Sequence, residues 1–486
     1  MAEKLTLKHL QDAVGGSAAA FRCRRRLQPA GGEGDKVFPP TFAGAVYAVE
    51  QRRVPGRQTP TTCVLLDSVQ SQANRMELAL QQAVDSEKIK IPVLEVDFTG
   101  HGPTGDVEAD EKAGRLLDAI GKVTSLQVPH RLADAILRDS QIDGIDFRKS
   151  EKGKGLNTVS LANATSLFAL CPTALVFGMW DSTGPKGGLG PKFERAMVSE
   201  VVGIGAEFGI KTQSRVDPLI TTTRGMVLYQ KKGGGWTLDE AEAIVQYQRK
   251  DGGGWTLDEA EASPNAKKLP VKIGKEGKVS EANLGNVTPS FHKYTRGAEG
   301  IDPLGAGRID VNYSIRSNAD EFHVRNQSRT EAGAAREGQI APGGVTVEHA
   351  EQTTTLSLIC LRRLRFPVDG QENAEADVTA RTVLAALGLC AATLAFESGM
   401  GLRSRCLLWP DGPMEWELLA RPGETPQKFS LTGDEAVALL NDAIESAEKI
   451  SLPWESEPVV LKPSAQLLKL VRLSQLEAVK EGPDAG

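Results

Sequence analysis

The sequence predicts an α+β fold, and three observations carry that expectation. Short runs of β-branched and aliphatic residues lie between turn signals, segments of helical period separate some of them, and the gaps between elements are unequal. Strands are expected at Phe42 to Val49, Thr62 to Leu66, Val93 to Phe98, Leu167 to Phe177, Thr354 to Leu361 and Arg403 to Trp409.

The clearest helix is expected over Gln70 to Val84. There Ala73, Met76, Leu80 and Val84 share one face, and Asp67 or Ser68 stands where an N-cap belongs. Phe193 to Gly203, Ala380 to Phe396 and Asp434 to Lys449 carry the same period. This order of elements points to a ferredoxin-like domain with large insertions. Segments 101–155 and 211–344 are rich in glycine, charge and turn formers, and are predicted to be insertions outside the core. The tail 463–486 sets Leu467, Leu468, Leu470, Val471 and Leu473 beside Lys469 and Arg472, the pattern of an amphipathic helix that docks on the body or on a partner.

At 486 residues and 40% hydrophobic content the chain can bury a substantial core, while Gly 50 and Pro 26 imply many loops. A net charge of −6 argues against indiscriminate coating of nucleic acid, which needs a broadly basic surface. Charge is unevenly spread, however. Arg22, Arg24, Arg25, Arg26 and Lys36 cluster early, and acids collect around Glu108 to Glu111, Asp239 to Glu242 and Glu372 to Asp377. A basic stripe on an acidic body fits one bound strand. No segment reaches the run of about 18 apolar residues of a membrane span, and Met1 to Leu10 lacks a signal-peptide core, so a cytoplasmic protein is expected.

Cys23, Cys63, Cys171, Cys360, Cys390 and Cys406 are scattered without metal-ligand spacing and read as free buried thiols. The histidines lie singly. No nucleophile–base pair and no carboxylate pair occurs at a recognisable spacing, and Asp181 has no second metal ligand near it in sequence. The expectation is a protein without catalytic residues, metal or cofactor.

Three segments are candidates for binding. Val64 to Leu80 turns from strand to helix and presents Gln70, Ser71, Gln72, Asn74 and Arg75 on the face away from Met76 and Leu80. Amide, hydroxyl and guanidinium groups at a helix N-terminus suit phosphates and riboses, although the same face also serves as an ordinary solvated surface. Phe177 to Gly203 joins its elements through a glycine-rich loop with Lys186 and Lys192. It lacks the Gly-Lys-Ser/Thr of a nucleotide-phosphate loop, which disfavours ATP or NAD chemistry. The arginines at 22 to 26 fit either a phosphate clamp or a guarded strand edge.

One further feature is a duplication: GGGWTLDEAEA at Gly233 to Ala243 recurs at Gly252 to Ala262. Thr237 and Thr256 stand three residues before Glu240 and Glu259, so two capped helix starts are expected, with Trp236 and Trp255 either packing locally or stacking on bases.

Val64 to Leu80, Phe177 to Gly203, VSEANLGNVTPS at Val279 to Ser290, GGVTVEHAEQTTTLSLICLRRLRFP at Gly343 to Pro367, and RCRRRLQPAGGEGDKVFPPTF at Arg22 to Phe42 together resemble the backbone RAMP subunit of subtype I-G (formerly I-U) CRISPR systems. The resemblance implies a modified RNA-recognition-motif palm, spanning the chain as one domain with inserted finger and thumb elements. It implies head-to-tail assembly of copies along one crRNA in a type I Cascade complex, with the guide presented to target DNA and a helicase-nuclease recruited by the assembly. By the same resemblance Ser71, Gln72, Asn74 and Arg75 would be an RNA-contacting helix, with Arg22, Arg24, Arg25, Arg26, Lys186 and Lys192 as further contacts. The basic residue here follows the Gln sooner than in the family pattern. The alternative is a type III-like backbone subunit that cuts RNA with a loop aspartate and a metal, for which Asp181 is the candidate.

Overall fold

The computed structural model describes residues 2–42, 47–182, 190–210, 212–215, 226–250, 254–277, 287–291, 310–315, 322–327 and 342–481. It is α+β, and the chain divides into two compact units. The first gathers the described residues up to Phe208 and from Gly344 to Lys480. The second holds those between Gly209 and Gly343.

The first unit is built on a ten-stranded sheet. Its strands and the helices that pack on it are, in chain order, β1 (Glu3–Lys4), α1 (Leu7–Gly15), β2 (Ala20–Pro29), β3 (Val49–Arg52), β4 (Thr61–Asp67), α2 (Val69–Asp85), β5 (Met197–Ile204), β6 (His349–Ser357), α3 (Ala374–Glu397), β7 (Met400–Arg403), β8 (Cys406–Pro410), β9 (Glu415–Leu419), β10 (Gln427–Ser430), α4 (Gly433–Lys449) and α5 (Ala465–Glu481). The spatial order is β1-β10-β9-β2-β6-β5-β4-β3, with β8 pairing β2 and β7. Central pairings are antiparallel. Cys23 lies opposite Thr354 and Ser199 opposite Thr354, so β6 runs between β2 and β5.

Alternation along the strands fixes which face is covered. In β2, Phe21, Cys23, Arg25 and Leu27 are buried while Arg24 and Arg26 are exposed, the period of two expected of a sheet with one packed face. The packed face meets α3, which is buried over most of its length because it is apolar all round. α3 comes so close that a Cβ on Gly388 would lie 3.2 Å from Met197 Cε and 3.3 Å from Leu356 Cδ1. Against the expectation from sequence, this helix is long and apolar enough to cross a membrane, but 83% of its apolar window is buried inside the protein, as in a core helix.

α4 begins with a full capping box, Thr432 with Glu435. α5 docks on its own body, with Arg472 Nε donating to Arg115 O at 2.9 Å and Leu117 N donating to Gln475 Oε1 at 2.8 Å. A five-stranded sheet flanks the same core, in the order Lys122–Thr124, Leu94–Asp97, Val459–Pro463, Ser140–Ile142 and Ile145–Asp146.

Several expectations are corrected here. Leu167 to Phe177 is two short helices, Thr165–Leu170 and Thr173–Phe177, and the expected helix at Phe193 to Gly203 is largely strand β5. Short apolar runs fit either state locally, and long-range pairing decides between them. Segment 101–155 is not peripheral: Leu126, Leu132, Leu137 and Phe147 join the main core.

In the second unit the duplicated motif forms two equivalent hairpins. Tyr229–Gln230 pairs Trp236–Thr237, and Val245–Gln248 pairs Trp255–Thr256 and Lys268–Pro270. Each Thr hydroxyl meets a Glu carboxylate, Thr237 with Glu242 at 3.2 Å and Thr256 with Glu261 at 3.1 Å. The expected capping boxes give way to 3₁₀ turns capped by Asp239 and Asp258. Trp236 and Trp255 are exposed.

Candidate nucleic-acid interface

β4 ends on a buried aspartate, and Ser68 then caps α2, its Oγ accepting from Ser71 N at 3.3 Å. Asp67 is completely buried and its carboxylate is shared three ways. Gln72 Nε2 and Arg75 Nε donate to Oδ2 at 2.7 and 2.9 Å, and Arg403 Nη2 donates to Oδ1 at 3.1 Å. Arg75 also donates to the carbonyls of Gly401 and Leu402, and Arg403 to that of Leu66. The two guanidiniums therefore staple hairpin β7–β8 to the junction of β4 and α2. One carboxylate against two guanidiniums leaves one positive charge in excess, partly open to solvent.

Gln72 continues the network inward. Ser199 Oγ and Gln352 Nε2 both donate to its Oε1 at 2.9 Å, and Ser199 Oγ lies 2.8 Å from Thr354 Oγ1. The expectation that Gln72 shares the outward polar face is corrected: it is buried, facing the sheet. Its hydrogen-bonding capacity is used by partners on α2's own junction and on β5 and β6, the arrangement a buried amide requires. Ser71 is half-buried, while Gln70 and Asn74 are exposed and are the open polar groups of the first turns.

The β2 arginines divide by face. Arg22, Arg24 and Arg26 lie on the open side, each beside a carboxylate: Glu417 at 2.7 Å, Glu351 at 2.8 Å and Asp411 at 3.3 Å. With Lys428 and Glu415 they line a shallow depression of about 300 Å³. Arg25 points the other way. It is 9% exposed and lies 5.2 Å from the Phe396 ring centroid, its Nε and Nη1 without a hydrogen-bond partner among the described residues. Burial lowers its pKa. The four arginines are thus not one cluster.

Lys192 is exposed, its Nζ 5.6 Å from the Trp180 ring centroid. Lys186 lies outside the described residues, as does part of Val279 to Ser290. Asp181 is buried and bonded to Arg148 Nη2 at 2.9 Å. Among the described residues no group of three or more His, Cys, Asp or Glu side chains is arranged to hold a metal.

Sequence reasoning missed Asp67 as the hub and Arg403 as its second partner. Arg403 stands in RSR, where Arg405 adopts a positive φ of 57° and lies 4.3 Å from the Phe38 ring centroid. No local spacing links β7 to α2; only the folded sheet brings them together.

A search of curated proteins finds no match for this chain. Residues 21–208, from β2 through β5 and so including the arginine strand, α2 and Lys192, match the model of a family described as CRISPR-associated protein GSU0053, and this match supports a CRISPR-associated role for the chain.

Proposed function

We propose that the chain is a crRNA-binding backbone subunit of a type I CRISPR interference complex, Cascade, of subtype I-G. The observation that carries this reading is the family match over residues 21–208, which covers the open-face arginines, α2 and Lys192. The broad sheet with helices against one face is compatible with a modified RNA-recognition-motif palm. Copies would assemble head to tail along one guide, grip its backbone, and leave its bases free to pair with target DNA.

On this reading Asn74, Ser71, Arg22, Arg24, Arg26 and Lys192 contact RNA. Gln72, Arg75 and Arg25 shape the surface from beneath. The protein works in the cytoplasm without catalysing a reaction or holding a cofactor, and cutting falls to a recruited helicase-nuclease. The ribonuclease alternative gains no support from Asp181, whose Oδ2 is bonded to Arg148 and which belongs to no group of three or more His, Cys, Asp or Glu side chains arranged for a metal among the described residues.

The test is co-expression with the CRISPR array and the partner subunits, followed by sizing and sequencing of the bound RNA. A homogeneous repeat-spacer RNA, reduced when Asn74→Ala is combined with Arg24→Ala and Arg26→Ala, supports the reading. Random or absent RNA in the complete assembly overturns it.

A further inference from the structure

Trp180 lies beside Lys192 but has no role among the RNA contacts proposed above. It sits in a small hairpin, Met179–Trp180 against Lys192–Phe193, directly opposite Lys192. Its neighbours are fixed. Met179 and Phe193 are buried, Asp181 is held by Arg148, and Asp181 N donates to Pro191 O at 3.1 Å. The indole between them is 53% exposed. A large aromatic surface is thus presented to solvent from a paired strand, with an ammonium over one side of its ring.

The surrounding charges are one-sided. Asp181 is paired with Arg148, Glu194 with Arg363 at 2.8 Å, and Glu77 with Arg131 at 2.6 Å. Lys192 and Arg195 are both exposed and form no ion pair among the described residues. Arg195 is anchored by its Nε, which donates to Phe177 O at 3.1 Å, and its stem lies so close to Gly178 that a Cβ there would come within 2.9 Å of Arg195 Cγ. Along one short ribbon the protein therefore sets out an exposed indole and two cations that form no close ion pair among the described residues.

We propose that Trp180, Lys192 and Arg195 form a nucleotide contact for single-stranded RNA, with a base stacked on the indole and the adjoining phosphates met by the two cations. This rests on the guide-binding reading and deepens it. Aromatic stacking with cations on the backbone is the usual chemistry of single-strand recognition without sequence preference.

The experiment titrates the full chain, and the assembled complex, with a labelled single-stranded oligoribonucleotide and with the same oligomer made abasic. Trp180→Leu is expected to weaken binding of the base-bearing RNA by about 5- to 100-fold and to leave the abasic RNA unchanged. Trp180→Phe should retain most of the affinity. Lys192→Gln and Arg195→Gln should weaken both RNAs and each lower the slope of log affinity against log salt by about one. If Trp180→Leu binds both RNAs as the wild type does, this inference fails while the guide-binding reading stands. If that variant instead loses a neighbouring subunit, the indole is a protein contact and the inference also fails. If the wild type binds neither RNA, even in the complex, both fail.

Discussion

Arg75 and Arg403, from opposite ends of the chain, hold the two oxygens of Asp67, Nε of the first at 2.9 Å and Nη2 of the second at 3.1 Å. A buried carboxylate in this position needs at least one cation beside it. Removing the carboxylate strands two partly buried guanidiniums, whereas removing one arginine leaves the other. Asp67→Asn is therefore expected to cost about 3 to 5 kcal/mol, more than Arg75→Gln or Arg403→Gln, by urea denaturation of the three variants.

The faces of β2 predict opposite behaviour for neighbouring arginines. Arg25 is buried over Phe396 without full hydrogen bonding, so Arg25→Met removes an uncompensated cation and keeps most of the packing. Its thermal midpoint should equal or exceed that of the wild type, with RNA binding retained. Arg24→Ala, on the exposed face, should change stability by no more than about 0.5 kcal/mol while weakening RNA binding.

His349 is half-buried beside Arg26, with Glu351, Glu348 and Arg57 around it, and burial first, then Arg26, lowers its pKa below the ordinary 6.5. The folded protein thus resists protonating a ring that the unfolded chain protonates readily. The penalty is absent well above pH 6.5 and grows as pH falls through that value. His349→Gln should flatten the loss of stability between neutral and mildly acidic pH, measured as denaturation midpoints across the range. An unchanged slope would show that His349 plays no part in it.

The two hairpins of the duplicated motif use the same bonds, so their threonines should be equivalent. Thr237→Val and Thr256→Val each remove a hydroxyl that accepts from an Asp amide and donates to a Glu. Each should loosen its own hairpin by about 1 kcal/mol, with additive effects in the double variant. Hydrogen exchange at Asp239 and Asp258 measures this directly.

Thiol chemistry follows from burial in the same way. Burial pushes Cys23 and Cys390 up to about 12 and Cys406 to about 11. In the native protein at pH 8, the half-buried Cys360, whose pKa burial also raises, should react slowly with an alkylating reagent, and the others only after unfolding.

What could be read from sequence was what local pattern controls. The apolar stripe Ala73–Met76–Leu80 with Ser68 as cap gave α2, and the same logic gave α3 and α4. Met197–Ile204 shows the limit: its residues also fit a helical stripe, and only pairing with β4 and β6 makes it a central strand. Gln72 shows it for the site. Its spacing places it near the polar residues of α2, yet Ser199 and Gln352, remote in sequence, complete its hydrogen bonds and draw it into the core. The open-face arginines were legible as residues, but their carboxylate partners on β6 and β9 were not.

The most direct measurement is the native mass of complexes assembled on guide RNAs of two different lengths. A backbone subunit that polymerises along its guide predicts more copies of this chain on the longer RNA, in whole-number steps. A copy number that stays fixed as the guide lengthens would contradict the account.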